Sequence, residues 1–269
     1  MICSCFHPHS LQLILVRYTG VFPNLLKRAH IIRGWLTVLC TDAEIQKRAR
    51  QTNCIPYYIK TSAAAEINFC QLHFYGTKNT GRCRELLIPG SEVWLTAPGT
   101  PGRKTKYDLV AVRKETGVLF NIDSQAANKV AGEWLAEQGY EKILPEFSYG
   151  SSRIDFYLER EEGGVPVRTL MEVKGCTLEI GGIGYFPDAP TERGVKHIRE
   201  LIRARTAGYE AVLAFVIQMD GVAEVRPNTQ THPEFGTVLA EARAAGVKIL
   251  FLTCHVEPDE LVVTGAIEG

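Results

Sequence analysis

The sequence predicts an α/β domain at its C-terminal end, preceded by a small β domain. Three observations carry that expectation. After Ser124, stretches of helical and strand periodicity follow one another in the order αβββαβαβ. Between Glu92 and Ile122, three short strand-like stretches are separated by turn residues, with no helical period among them. The charge, zero overall from 30 basic and 30 acidic residues, changes sign along the chain. Residues 1–115 hold 16 Lys and Arg against 7 Asp and Glu, and residues 116–269 hold 14 against 23. A front of +9 and a back of −9 suit a basic module that grips a polyanion and an acidic one that holds metal. Mutual attraction of the two halves would produce the same split. At 269 residues the chain has room for both domains.

Taken in order, residues 1–78 are atypical. Asp42 to Arg50 reads as a helix and Ser62-Ala63-Ala64-Ala65-Glu66 as a helix start, and neither belongs in a small β-barrel. A divergent insertion and a stretch from a foreign reading frame would both look like this. Residues 79–122 form the β domain, with strands at Glu92–Thr96, Tyr107–Arg113 and Gly117–Ile122. Pro98-Gly99-Thr100-Pro101-Gly102 and Glu115-Thr116 mark its turns. Residues 123–269 form the α/β domain. Ser124 caps a helix to about Gln138, with Ala127, Val130, Ala131, Trp134 and Leu135 on its apolar face and Gly139 after its end. Strands follow at Lys142–Tyr149, Arg153–Glu159 and Val167–Cys176, then a helix over Thr191–Ala207. Ala211–Met219 is an almost unbroken apolar run, as a strand covered on both faces would be. A helix at Pro233–Ala245 and a strand at Val247–His255 complete the series. This order is that of the restriction-endonuclease-like fold.

Glu161-Glu162-Gly163-Gly164 reads as the turn of an antiparallel hairpin. A turn centred on Gly163-Gly164 gives paired positions a constant sum of 327, which sets Asp155 opposite Glu172. Lys174 projects from the same face as Glu172. Like charges across a strand pair are destabilising, and a divalent cation between them would relieve the penalty. An acid on one strand and Glu-x-Lys on the next is the PD-(D/E)XK nuclease pattern. Here Asp155 and Glu172 would hold Mg²⁺ or Mn²⁺ with the Val173 carbonyl, and Lys174 would position the attacking water. In the structural alternative, Lys174 only neutralises the acidic pair. Glu133, beside Trp134 on the first helix, is the preferred further acid, with Glu137 and Glu146 as its rivals.

The string Gly184-Tyr185-Phe186-Pro187-Asp188-Ala189-Pro190-Thr191-Glu192-Arg193-Gly194-Val195-Lys196-His197-Ile198-Arg199-Glu200-Leu201 is long and unusual. Together with Ser152-Arg153-Ile154-Asp155-Phe156 and Glu172-Val173-Lys174, it closely resembles the sugar fermentation stimulation protein (SfsA) family. Asn79-Thr80-Gly81 and Pro89-Gly90-Ser91-Glu92-Val93-Trp94-Leu95 match that family's N-terminal domain. The resemblance implies an OB-like N-terminal domain, a restriction-endonuclease-like C-terminal domain and DNA as partner. It also implies a link to the regulation of sugar (maltose) metabolism in bacteria. A non-catalytic, DNA-binding transcriptional regulator on the same fold is therefore the alternative to a nuclease. RNA processing is a third reading, since an OB-like barrel accepts either polymer.

Further residues join these readings. Arg103, Lys104 and Lys106 on a loop beside Tyr107, and Arg193, Lys196 and Arg199 on one helix face, are the expected phosphate contacts. The loop trio reads equally well as solvated surface. His197, between Val195 and Ile198, reads as either an active or a buried hydrogen-bonded histidine, and Glu200, from the same string, is a further accessory candidate. Tyr185, Phe186, Pro187 and Asp188 read as either a lid or a structural plug. Six of the eight cysteines lie in the first 83 residues without zinc-ribbon spacing, and Cys3-Ser4-Cys5-Phe6-His7-Pro8-His9 alternates too tightly for a structural zinc site. Free thiols and a cytoplasmic location are expected. No segment reaches the ~18 apolar residues of a membrane span. A homo-oligomer is compatible with the sequence.

Overall fold

The computed structural model describes strands at 14–17, 29–32, 35–38, 58–61 and 75–77, together with residues 81–88, 91–96, 102 and 107–269. The chain divides into two compact units. One holds residues up to 78 with Arg84–Asp123; the other holds Ser124–Gly269 with the short segment ending at Cys83.

In the first unit, β1 (Ile14–Arg17) pairs antiparallel with β4 (Tyr58–Thr61), and β2 (Ala29–Ile32) with β3 (Trp35–Val38). A separate sheet joins β5 (Tyr75–Thr77), β6 (Glu92–Thr96), β7 (Tyr107–Arg113) and β8 (Leu119–Asn121) around β7. Trp94, Leu109, Val112 and Phe120 are buried in its core. Arg113 lies 4.9 Å over the Trp94 ring and donates to Glu92 Oε2 at 2.9 Å. The helices expected at Asp42–Arg50 and from Ser62, the Cys3–His9 cluster and the Arg103, Lys104 and Lys106 loop lie outside the described residues.

The second unit is built on a six-stranded sheet. Helix α1 (Ser124–Ala136) leads into β9 (Lys142–Tyr149), β10 (Ser152–Glu162) and β11 (Val165–Cys176). A small sheet of β12 (Leu178–Ile180), β13 (Ile183–Phe186) and β15 (Val225–Pro227) sits beside it. Then come α2 (Glu192–Thr206), β14 (Glu210–Ile217), α3 (Pro233–Ala244), β16 (Lys248–Glu257) and β17 (Glu260–Glu268). The sheet order is β17-β16-β14-β11-β10-β9. Its centre, β11-β14-β16, is parallel, and both margins are antiparallel. The apolar strand expected near Ala211–Met219 is the buried β14, as full coverage of a parallel strand requires.

Helix α1 covers one face of this sheet. Ala127, Val130, Ala131 and Leu135 pack there with Phe156, Leu158, Met171, Val173, Ala214 and Val216. Its expected apolar stripe is therefore the one it buries, although Trp134 is only partly covered. On β11, Met171 and Val173 face α1, so Glu172 and Lys174 face the other way, toward α2. There Phe186 meets Phe215 and Phe235 at 5.5 and 5.1 Å. The sequence reading stopped at His255, whereas Pro258-Asp259 turns the chain into β17, which closes the sheet.

The hairpin register holds. Residue pairs run from Glu162 with Val165 to Phe156 with Met171, and Gly163 and Gly164 take φ of +59° and +82°, a conformation open mainly to glycine.

Candidate metal and phosphate site

The pairing of β10 and β11 stops one step short of the acids. Beyond Phe156 and Met171 the strands part, and the next pair in register, Asp155 with Glu172, is not made. Asp155 instead accepts the backbone N–H of Val173 at 2.7 Å through Oδ2, and the side-chain amide of Asn128, on α1, at 2.7 Å through Oδ1. The carboxylate is thus held in the gap between the strands. Burial, and then the charge of Glu172, raise its pKa above the ordinary aspartate value; Lys174 and the two donors oppose that shift.

Glu172 is buried, 1% exposed. Burial alone would raise its pKa, but Lys174 and His197 outweigh burial and hold it below the usual glutamate value. Both Lys174 Nζ and His197 Nδ1 approach the same oxygen, Oε1. The other oxygen, Oε2, is buried without a hydrogen-bond partner. An unpartnered buried carboxylate oxygen is costly and calls for a partner. With a second carboxylate on the adjacent strand, this oxygen-rich donor set fits a hard divalent cation such as Mg²⁺ or Mn²⁺.

A cleft of about 610 Å³ lies on the other side of His197, the residue that links it to Glu172. It is lined by Ser151, Ser152 and Arg153 from the β9–β10 turn and by Glu192, Arg193, Val195, Lys196, His197, Arg199 and Arg203 from α2, so its charge is mainly, not wholly, basic. Glu146, following Pro145, takes φ +55°, an uncommon conformation for a non-glycine residue. Beyond it, Tyr149 meets Tyr209 edge to face at 5.5 Å, and Lys196 Nζ donates to the Ser151 carbonyl at 3.2 Å. Arg193, Lys196 and Arg199 do share a face, as the helical spacing predicts, and that face is the cleft wall. Arg199 is paired with Glu234 at 2.7 Å and Arg203 with buried Glu200 at 2.8 Å. Neither Arg193 nor Lys196 has an acidic partner among the described residues.

The expected acid on the first helix is a correction. Glu133 is exposed and pairs with Lys129 at 3.7 Å. It stands five residues after Asn128, which at about 100° per residue turns it well away from Asp155. Glu137 follows the end of α1 and is exposed, and Glu146 pairs with Arg153 at 3.4 Å on the surface. The helix therefore contributes a neutral amide, which a search for carboxylates overlooks. The signal was present: Asn128 adjoins buried Ala127 on the packed side of α1.

Tyr185 to Asp188 form a plug, not a lid. Phe186 packs into the aromatic cluster, Pro187 is buried, and Asp188 accepts the Cys83 N–H at 2.8 Å. Tyr185 pairs with Leu178 in the small sheet. Glu200 is taken by Arg203 and lies beside Gly150 of the turn, so it supports the cleft wall. Of Val173, the N–H is what meets Asp155. Cys176 and Cys254 are buried free thiols, and Cys83 is also buried.

Glu192, His232 and Glu234 also converge. His232 Nδ1 accepts the Thr191 N–H at 2.9 Å, so a neutral ring carries its proton on Nε2, the nitrogen facing both carboxylates. That nitrogen has no lone pair to give, and the cluster is a helix-end hydrogen-bond site.

Comparison with known proteins matches this architecture. Residues 65–122 match the SfsA N-terminal OB domain, and residues 125–260 match the sugar fermentation stimulation protein RE domain. The chain belongs to the sugar fermentation stimulation protein (SfsA) family. It is 52% identical over 188 residues to the homolog from Desulfitobacterium hafniense (strain DSM 10664 / DCB-2), covering 68% of this chain and 80% of that protein. With the Clostridium beijerinckii homolog it shares 47% over 188 residues, covering 68% and 81%. Among solved structures, Pyrococcus furiosus SfsA in complex with Ca²⁺ superposes with a TM-score of 0.62 at 31% identity, over 71% of this chain and 82% of that one. The family thus combines an N-terminal OB domain with a C-terminal RE domain, here an α/β domain, as the resemblance implied. No helix among the described residues is long and apolar enough to cross a membrane.

Proposed function

We propose that this protein is a metal-dependent phosphodiesterase of the PD-(D/E)XK type that acts on nucleic acid. The observation that carries the reading is the unpartnered Oε2 of Glu172, buried next to Asp155 and Lys174 beside a cleft lined with cations. Asp155 and Glu172 would hold Mg²⁺ or Mn²⁺, with the Val173 carbonyl as a further oxygen. The bound ion would polarise a phosphoryl oxygen and lower the pKa of a water. Asn128 and the Val173 N–H fix the Asp155 carboxylate so that it does not rotate away from the ion. Lys174 orients the attacking water and opposes the charge that grows on the phosphoryl oxygens. Arg193 and Lys196 grip the backbone phosphates on either side of the reacting one. The Ca²⁺ named with the Pyrococcus furiosus relative supports a hard-cation site in the family.

The test is incubation with plasmid DNA, single-stranded DNA and RNA in Mg²⁺ or Mn²⁺, with Glu172→Ala as the blank. Cleavage by the intact protein and none by the variant supports the reading. Binding without cleavage of any of the three contradicts it and favours a DNA-binding regulator of sugar metabolism.

A further inference from the structure

His197 lines the cleft and also bonds Glu172. It is buried, 6% exposed, on α2, one turn after Arg193. Its Nε2 accepts the Arg193 Nε–H at 3.4 Å. A ring nitrogen that accepts carries no proton, so in the neutral ring the proton is on Nδ1, the nitrogen that meets Glu172 Oε1. Lys174 donates to that same oxygen. The two oxygens of Glu172 are thereby made unequal: Oε1 takes both protein donors, and buried Oε2 takes none.

We infer that His197 is a positioning residue for the metal ligand: its Nδ1–H commits Oε1 of Glu172 to the protein and so presents Oε2 alone to the cation. This rests on the metal reading above and adds a residue to it. Without the Nδ1 donor, Lys174 would hold Oε1 alone, by a flexible stem, and the carboxylate could turn about its last torsion. Groups that orient a metal ligand in this way typically contribute 10–100-fold in affinity. Arg193, in the cleft, sets the tautomer by occupying the other nitrogen.

The experiment is calorimetric titration of the full chain with Mn²⁺, using the intact protein, His197→Asn and His197→Gln. The Asn amide nitrogen lies as many bonds from the backbone as Nδ1 and keeps the donor; the Gln nitrogen lies one bond further and misplaces it. The expected result is Mn²⁺ affinity near that of the intact protein for His197→Asn, and a loss of roughly 10–100-fold for His197→Gln. Equal affinities in the two variants overturn the inference, because a residue that only fills space would lower the melting temperature of both alike and leave no such difference. If neither variant folds, the ¹⁵N resonances of the His197 ring in the intact protein decide. A proton on Nδ1 upholds the assignment, and a bare Nδ1 overturns it. If the intact protein takes up no Mn²⁺, the metal reading itself fails. If it takes up Mn²⁺ and the variants do so equally, only the role of His197 fails.

Discussion

Asp155 is a carboxylate whose ionisation the fold opposes while its position is firmly held. Burial and the Glu172 charge raise its pKa, so the folded, metal-free protein binds a proton there more readily than the unfolded chain does. Its contribution to stability is therefore present at low pH and lost as pH rises past the ordinary aspartate pKa toward the raised one. Glu172 works in the opposite sense: its lowered pKa adds stability above the ordinary glutamate value, lost as pH falls. On the metal reading, a cation held by the ionised pair would offset what Asp155 costs. Asp155→Asn removes the charge and keeps an oxygen for the Val173 N–H, while Asn128 can turn its own amide over. Thermal melts at neutral pH should show this variant at least as stable as the intact protein without metal, with no further rise in Mg²⁺. A variant that melts lower without metal and still gains from Mg²⁺ would contradict this. The acids and lysine were legible because the chemistry needs charged residues at a fixed spacing on paired strands. Asn128 was not, because an amide that orients a ligand carries no charge.

On α2, Thr191 caps the N-terminus by accepting the Gly194 N–H at 3.0 Å. A Cβ on Gly194 would stand 2.8 Å from Thr191 Cγ2 and 2.9 Å from its Oγ1. Gly to Ala inside a helix ordinarily gains about 1 kcal/mol, but here the added methyl displaces a cap worth about 1 kcal/mol and meets it at a forbidden distance. Gly194→Ala should therefore destabilise, by about 1 kcal/mol in urea unfolding, and a stabilised variant would refute the argument. The same helix carries the basic face. Arg193→Ala and Lys196→Ala together should flatten the slope of log K against log salt by up to about 1.8 on duplex DNA, or 1.4 on a single strand. Arg199→Ala should change it less, since Glu234 already offsets that charge. Slopes measured by fluorescence anisotropy that fall equally for Arg193→Ala and Arg199→Ala would refute the distinction. Which charges line up on α2 follows from helical spacing. Which of them are already neutralised depends on Glu234 and Glu200, and the placement of Glu234, on another helix, is a tertiary fact that no local pattern in α2 contains.

At the scale of the molecule, the element order from Ser124 was readable because buried parallel strands are continuously apolar and the covering helices are not. β17 was missed because only one side of it is sheltered, so Val262 stays 42% exposed and its pattern is weak. The hairpin arithmetic was correct up to Phe156 and Met171 and failed one step further on, since ladder continuity ends where Asp155 turns into the gap. Within the acidic stretch of residues 116–269, buried Glu172 keeps one unpartnered oxygen, half-buried Asp155 stands on the neighbouring strand, and Arg193 and Lys196 lie on the wall of the cleft that His197 lines. The most direct test of that arrangement is the thermal melt of the intact protein and of Glu172→Ala against increasing Mn²⁺. At 100 times the dissociation constant, a bound ion contributes about 2.7 kcal/mol, a rise of roughly 5–10 °C for a domain of this size. The intact protein should show that rise and Glu172→Ala should show none. A melting temperature of the intact protein that does not move with Mn²⁺, or a rise of the same size in the variant, would contradict the metal site.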